Sequence, residues 1–198
     1  MSIHRYGEGF YPGTGHPSEV GTGAGLGTSV NIAFTGTGYG DREYLAAFHR
    51  VVMPISREFG PDLVLVAAGF DAALGDPLGG MALTPAGFAQ MTAQLQTLAN
   101  GKVVVAVEGG YDLRSLSRAA AASLRTLLGE PAMAIQRGAA MAQAIADIEY
   151  AARVLVPHWK SLQLPQPQRA LSSKKAMRRE LKLMRAQRHR GPWWYKYL

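Results

Sequence analysis

Short, continuously apolar runs alternate along the chain with longer segments in which apolar residues recur every three or four positions. Two runs, residues 62–68 (DLVLVAA) and 102–107 (KVVVAV), are almost entirely apolar, and a shorter run covers residues 30–34 (VNIAF). Runs of this kind are typical of parallel strands that are covered on both faces. The pattern therefore predicts three buried parallel strands.

The intervening segments have the spacing of amphipathic helices. They cover about residues 41–59, 85–100, 114–128 and 134–156. Asp41 and Thr84 are predicted N-caps, and Pro85 suits the first position of the second helix. The alternation of strands and helices predicts an α/β domain with a parallel sheet, helices on both faces and right-handed crossovers.

Composition narrows the protein class, and charge divides the chain into two parts. Cysteine is absent, which excludes disulfides and thiolate metal sites and fits an intracellular protein. No apolar run approaches the roughly 20 residues that cross a bilayer, so we expect no membrane partner.

Residues 169–198 carry ten Lys and Arg and one Glu, whereas residues 1–168 carry eleven basic and thirteen acidic residues. We expect a linker and basic tail over 164–198, either solvated or in contact with nucleic acid, an acidic partner or a nuclear import receptor.

Two polar side chains follow the two longest apolar runs. Asp71 is the third residue after the run 62–68, and Tyr111 lies in EGGYDL after the run 102–107. Because the carboxyl ends of parallel strands share one edge of a sheet, we expect these two loops to adjoin. A carboxylate among apolar residues favours a metal or a charged partner, and a phenol can stabilise an oxyanion. The alternatives are that Asp71 and Asp76 are turn residues and that Tyr111 is half-buried.

Several ordered motifs resemble one enzyme family. LVLVAAGFDAALGDPLGG (63–80), VAVEGGYDL (105–113) and HRYGEGFYPGTG (4–15) are similar to segments of the zinc-dependent histone deacetylases. The segment 41–72 resembles class II members especially, and PHWKSLQ (157–163) is similar to class II chains. The resemblance covers about residues 1–130. It implies an arginase/deacetylase-like fold and hydrolysis of acetyl-lysine in histones or other proteins.

The resemblance also implies roles for individual residues. Asp71 matches a zinc ligand, and Tyr111 matches the catalytic tyrosine that hydrogen-bonds the substrate carbonyl. Substrate-binding positions of the acyl-lysine channel are matched by Phe10, Tyr11, Leu78, Gly109 and Gly110. Ser2 and Ile3 match positions that bind a structural potassium ion, whereas His4 is expected to be a satisfied core histidine. Leu78 stands where polyamine deacetylases have an acidic residue, which favours acyl-lysine in proteins.

Other parts of the family's catalytic machinery have no counterpart in this sequence. The paired histidines and the Asp-x-His pair lie upstream of the segments matched here, so the resemblance implies that residues 1–163 are the C-terminal part of a catalytic domain whose sheet is incomplete on its N-terminal side. Such a chain is expected to be inactive alone. The alternatives are a truncated, non-catalytic binding module and a chromatin or nucleic-acid contact protein acting through 169–198. The expected location is the nucleus and/or the cytoplasm, with a role in chromatin regulation and transcription repression.

Overall fold

The computed structural model describes residues 1–7 and 9–162. Within these residues there are four strands and five α-helices. The strands are β1 (Ser2–Arg5), β2 (Asn31–Phe34), β3 (Val64–Ala68) and β4 (Val103–Val107). The helices are α1 (Asp41–Ala47), α2 (Met53–Phe59), α3 (Pro85–Gln96), α4 (Leu113–Leu127) and α5 (Ala142–Leu155).

The strands form two parallel pairs. In the first, β1 runs beside β2 with Ser2 opposite Asn31. In the second, β3 runs beside β4, from Val64 opposite Val103 to Ala68 opposite Val107. The three predicted strands are confirmed. The sequence did not predict β1, because SIHR contains one apolar residue and so shows no apolar run.

The helices follow the predicted pattern with two differences. A π-helical turn, Phe48–Val52, joins α1 to α2, so residues 41–59 are helical throughout. The N-cap of α1 is Gly40 and not Asp41, which is the first helical residue and whose carboxylate accepts hydrogen bonds from Thr84 N and Oγ1 instead. The last helix begins at Ala142 rather than near residue 134, since Gly138, with a φ of 157°, opposes helix in the segment between them.

The hydrophobic core is formed mainly by β2, the α1–α2 segment and α5. Its most deeply buried side chains include Ile32, Phe34, Val51, Ile55, Phe70, Leu83, Ile148 and Leu155. Helix α5 is tied to the end of β2 because Asp147 accepts hydrogen bonds from Thr35 N and Oγ1. Beyond α5, Trp159 Nε1 donates to Gly27 O at 2.8 Å, and Leu162 is buried. The segment 157–162 is therefore docked on the core.

One face of the β3–β4 pair packs against this core, whereas the other is exposed. Val64 and Ala68 contact the core, but Leu65 is 72% exposed and its partner Val104 is 53% exposed. The sequence predicts that both faces are covered. Within the described residues, however, one face of β3–β4 is exposed. None of the helices in this part of the chain combines the length and apolar character needed to cross a membrane.

Residues 7–14 belong to a second compact unit, of which residues 7 and 9–14 are described. Phe10 N donates to Gly7 O at 3.2 Å, and the Tyr11–Pro12 peptide is cis. The Tyr11 side chain is exposed. The predicted linker and basic tail, 164–198, lie outside the described residues, so the predictions made for them stay predictions.

Candidate active site

Asp71 lies on a short 3-10 turn, Phe70–Ala72, directly after β3. The turn is anchored by Phe70, whose buried ring packs against Phe88 with a centroid separation of 5.1 Å. Asp71 itself is half-buried. The buried phenylalanine therefore fixes the turn and holds the next side chain at the carboxyl end of the strand.

Three glycines frame Asp71 closely. A Cβ added to Gly69 would lie 2.8 Å from Asp71 Oδ1, and one added to Gly109 would lie 2.8 Å from Oδ2. A Cβ on Gly79 would collide with the Asp71 carbonyl oxygen. Any larger residue at these positions would displace the carboxylate or its backbone, since real Cβ atoms do not approach this closely. The turn therefore has space for Asp71 only because glycine occupies all three positions.

The surroundings of Asp71 disfavour its negative charge. Burial raises the pKa of the Asp71 carboxyl, and the nearby charge of Asp76 raises it further, while the backbone N–H groups of Asp71 and Ala72 oppose the shift. Burial also raises the pKa of the Tyr44 phenol, with a contribution from the charge of Asp71. A half-buried carboxylate with a second acid nearby is stabilised by a bound cation.

Hydrogen bonds join the loop after β3 to the loop after β4. Phe70 N donates to Gly109 O at 2.8 Å, and Ser115 Oγ donates to Leu74 O at 2.8 Å. Tyr111 N donates to Asp76 Oδ2 at 2.7 Å. The expectation that the two loops adjoin is confirmed. Asp71, the two glycines at 109 and 110 and Tyr111 consequently belong to one end of the β3–β4 pair.

Leu78 and Tyr111 both present exposed side chains at this end, with 58% and 59% of their surfaces accessible. Gly110 separates Tyr111 from the frame around Asp71 and has a φ of 138°, in the range that favours glycine. A Cβ at Gly110 would lie 2.9 Å from Leu116 Cδ1. The glycine pair thus lets the chain pass Asp71 and Phe70 closely before it reaches the tyrosine.

Asp76 has a larger part in this site than the sequence indicated. It is a turn residue, as predicted, because its Oδ1 accepts from Leu78 N at 2.8 Å and from Gly79 N at 3.0 Å. Its other oxygen accepts from Tyr111 N, a contact that no local pattern predicts. Burial alone would raise the pKa of the Asp76 carboxyl. The hydrogen bonds from these backbone N–H groups and from the backbone N–H of Asp112 outweigh burial, so the pKa is lowered.

Ser2, Ile3 and His4 lie on β1, outside the loops that follow β3 and β4. Ser2 Oγ, expected at a potassium site, lies 2.8 Å from His4 Nδ1, and His4 Nε2 lies 2.9 Å from Gly15 O. His4 is thus satisfied on both ring nitrogens, as expected, and burial lowers its pKa. The partly buried Ile3 packs beside the core. Phe10 and Tyr11 belong to the second compact unit, so their predicted place beside Leu78 stays a prediction.

The residues at this end can supply one metal ligand. The Asp71 carboxylate fits that role, since it is half-buried, framed by backbone and destabilised as a free anion. Within residues 1–7 and 9–162, however, no group of three or more His, Cys, Asp or Glu side chains is placed to hold a metal ion. A catalytic zinc normally takes three protein ligands and one open position. Asp71 can therefore be only part of such a site.

Comparisons with known proteins agree with this geometry. The histone deacetylase domain model matches residues 1–127. Histone deacetylase clr3 of Schizosaccharomyces pombe is 47% identical over 165 residues, which are 82% of this chain and 24% of that protein. The structure of Clr3 superimposes with a TM-score of 0.80 at 41% identity, covering 94% of this chain and 32% of that chain. A crystal structure of the HDA15 HD domain gives a TM-score of 0.75 at 43% identity, covering 81% and 45%.

The chain spans about a quarter of the curated relative, and less than half of either solved chain. The predicted arginase/deacetylase-like α/β class is confirmed by both structures. The match includes the segments that hold Asp71 and Tyr111. The chain therefore belongs to the histone deacetylase family and is class II-like.

Proposed function

We propose that residues 1–163 act as the C-terminal part of a catalytic domain that removes acetyl groups from lysine side chains of histones or other proteins. Residues 164–198 would form a linker and basic tail. The observation that carries the proposal is the joined pair of loops, in which three glycines frame Asp71 and a direct hydrogen bond fixes the backbone of Tyr111. The corresponding place of action is the nucleus or the cytoplasm, in chromatin regulation and transcription repression.

In this proposal Asp71 is one of the zinc ligands, and the resemblance implies that the others belong to the Asp-x-His pair, upstream of the segments matched here. Ser2 and Ile3 are proposed for a structural potassium ion. Both assignments rest on the resemblance: a carboxylate oxygen is a usual zinc ligand, and Ser2 could offer a hydroxyl oxygen and Ile3 a carbonyl oxygen to a potassium ion. The chain alone would be inactive, since Asp71 cannot complete a catalytic zinc site.

The residues of this chain would bind and orient the acyl group. Bound zinc would supply Lewis-acid polarisation of the acetyl carbonyl and activation of water. The Tyr111 phenol would donate a hydrogen bond to the oxygen on which negative charge develops during attack, a contribution of about 3 to 4 kcal/mol in comparable sites. Gly109 would leave room for the acetyl group, because it places backbone rather than a side chain beside Asp71, while Gly110 lets the chain pass close to Phe70 and Leu116.

We also propose a preference for acyl-lysine in proteins, based on the residues at the rim of the site. Leu78 offers an exposed apolar side chain that suits the methylene stem of lysine and would not attract a second cationic group. Phe10 and Tyr11 are proposed as aromatic walls of the channel. A carboxylate at position 78 would instead favour substrates with additional positive charge.

A chimera tests the proposal directly. Residues 1–162 would replace the matching segment of the HDA15 HD domain, and hydrolysis of an acetyl-lysine peptide would be measured with zinc present. The isolated chain is the reference and should be inactive. Tyr111→Phe in the chimera should lower kcat by about 100-fold to 1,000-fold. Tyr150→Phe, the same chemical change in α5, is the matched control and should leave kcat unchanged.

Asp71→Ala completes the test, because it should reduce both the zinc content and the activity of the chimera. A folded, zinc-loaded chimera without activity would contradict the proposal. So would activity that survives Tyr111→Phe, because the phenol would then have no part in the reaction.

A further inference from the structure

We propose that Asp76 is a positioning residue, whose carboxylate joins the loop after β3 to the loop after β4 and thereby fixes both the Tyr111 phenol and the Leu78 rim. This inference rests on the proposed function for the meaning of those two side chains. We call the hydrogen bonds from both loops to the Asp76 carboxylate the clamp. The clamp is a property of the described chain and can be measured without catalysis.

The two carboxylate oxygens of Asp76 serve different loops. Oδ1 accepts from Leu78 N at 2.8 Å and from Gly79 N at 3.0 Å, within its own loop. Oδ2 accepts from Tyr111 N at 2.7 Å, in a loop that is 35 residues further along the chain. Because both oxygens are bonded to one carbon, the distance between the Leu78 and Tyr111 backbones is set by a single rigid group.

A turn alone would not need this arrangement. The bonds from Leu78 N and Gly79 N complete the turn and use one oxygen, so the second oxygen is free for a contact across the site. On the other side, Gly109 and Gly110 precede Tyr111 and give its backbone wide conformational freedom. With the Tyr111 side chain 59% exposed, packing constrains the phenol little, and the bond to Asp76 fixes the backbone from which the phenol projects.

Tyr111 is also the last residue before the N-cap of α4. Asp112 caps that helix by accepting from Ser115 N at 2.7 Å, and Ser115 Oγ donates back to Leu74 O in the loop after β3. Tyr111 therefore lies between the glycine pair and a fixed helix start. Its amide is the point at which the Asp76 carboxylate can set the direction of the side chain.

An aspartate performs this task better than its amide. All the described contacts of Asp76 come from N–H donors, so both of its oxygens must accept. Asparagine has the same shape but offers one oxygen and one NH₂ group, which would face an N–H donor. Asp76→Asn therefore keeps the side-chain volume and breaks one of the two connections.

The first experiment measures amide exchange of the full 198-residue chain by NMR. Asp76→Asn and Asp76→Ala should speed exchange of the Tyr111 amide by roughly tenfold to a hundredfold, as expected for the loss of a hydrogen bond to a charged group. Amides of α4 should be unaffected. Asp62→Asn, an exposed aspartate just before β3, is the matched control. Unchanged exchange at Tyr111 in both Asp76 variants would overturn the clamp.

The second experiment uses kinetics in the chimera described above, and does not depend on the stability of the isolated chain. Asp76→Asn should lower kcat by roughly tenfold or more with a much smaller change in KM, because a loose phenol weakens the transition state more than substrate binding. A general loss of structure would also lower the apparent kcat at unchanged KM, because it reduces the amount of active enzyme. The kcat is therefore calculated per active site, counted by titration with a tight-binding inhibitor, and a kcat that is normal on this basis would overturn the positioning role.

The outcomes distinguish this inference from the proposed function. If the chimera with the native residues is inactive, the proposed function fails, while the exchange measurement still reports on the clamp. If Tyr111→Phe abolishes activity but Asp76→Asn leaves kcat unchanged, the proposed function stands and the positioning role of Asp76 is wrong.

Discussion

Gly109 lies directly against the carboxylate of Asp71, so that a Cβ at this glycine would be 2.8 Å from Asp71 Oδ2 and 2.9 Å from Cγ. The two residues come from different loops, which Phe70 N and Gly109 O hold together at 2.8 Å. Gly109 does not have a positive φ. Position 109 therefore requires glycine because of this contact and not because of its backbone conformation. The backbone of one loop therefore determines where the carboxylate of the other can be.

Gly109→Ala should displace Asp71 and weaken zinc binding. The added methyl group must move either the carboxylate or the β4 loop, and overpacking of this kind costs about 1 to 3 kcal/mol of unfolding free energy. Urea unfolding of the chain and the zinc content of the chimera would report the two effects. Gly7→Ala is the matched control, because a Cβ at Gly7 meets nothing within 4 Å. Equal zinc content in the two variants would contradict the close contact.

Asp71 and Asp76 should respond to pH with opposite signs when no metal is bound. The pKa of Asp71 is raised by burial and by Asp76, so the folded state keeps a proton that the unfolded state has lost. Stability therefore falls as pH rises from about 4, the unfolded value, through the raised folded pKa. Asp71→Asn should consequently increase the free energy of unfolding at pH 7 in the presence of a chelator, and the gain should shrink below about pH 4.

Asp76→Asn should have the opposite effect and lower the free energy of unfolding at pH 7. The pKa of Asp76 is lowered because hydrogen bonds from backbone N–H groups outweigh burial. Its contribution to stability is present above the unfolded pKa of about 3.9 and is lost as pH falls through the lower folded pKa. Denaturant melts of the two variants at several pH values would show curves that diverge from the native chain in opposite directions. The same sign for both variants would contradict the opposite pKa shifts of Asp71 and Asp76.

The sequence predicted the elements that apolar runs and helical spacing define. Strands β3 and β4 and the helices α3 and α4 were found within a few residues of their ends. The strands are continuous apolar runs, and the helices combine a periodic apolar pattern with a clear cap or a following glycine. The short strand β1 was missed for the opposite reason, since its pairing with β2 depends on backbone hydrogen bonds and its sequence shows no run. Local patterns thus predict elements that bury their own side chains.

The contacts between distant loops had no such signal. Resemblance indicated Asp71, Tyr111 and Gly109, but it did not show that Asp76 bonds to the Tyr111 amide or that Gly69 and Gly79 complete the frame. Asp76 and Tyr111 are 35 residues apart, and a single contact of this kind leaves no periodic trace. Gly69 and Gly79 are close to Asp71 in the chain, but a glycine in a loop does not indicate which residue it contacts. The predicted cap at Asp41 was wrong for a related reason, because its carboxylate bonds to Thr84 at the start of another helix.

Glu43 provides a test of another long-range contact. Its buried carboxylate accepts from Gly40 N at 2.8 Å and from Met141 N at 2.9 Å, joining the starts of α1 and α5. Glu43→Ala would leave two N–H groups without their acceptor and should cost about 3 kcal/mol of unfolding free energy. Glu149→Ala, which removes a surface ion pair with Arg50, should cost less than about 1 kcal/mol. Equal costs in thermal or urea melts would contradict the described burial.

The exposed face of β3–β4 offers the last prediction, because two neighbouring residues of β3 point in opposite directions. Leu65 is 72% exposed, whereas Val64 packs against the core. In the isolated chain, Leu65→Lys should change the unfolding free energy by no more than about 0.5 kcal/mol and should reduce self-association and dye binding, since it interrupts an apolar patch. Val64→Lys, one position away, should unfold the chain because it buries a charge. In the chimera both variants should strongly lower the unfolding free energy, since strands as apolar as β3 are covered on both faces in a complete sheet. A chimera that tolerates Leu65→Lys as well as the isolated chain does would show that this face stays exposed in the whole domain.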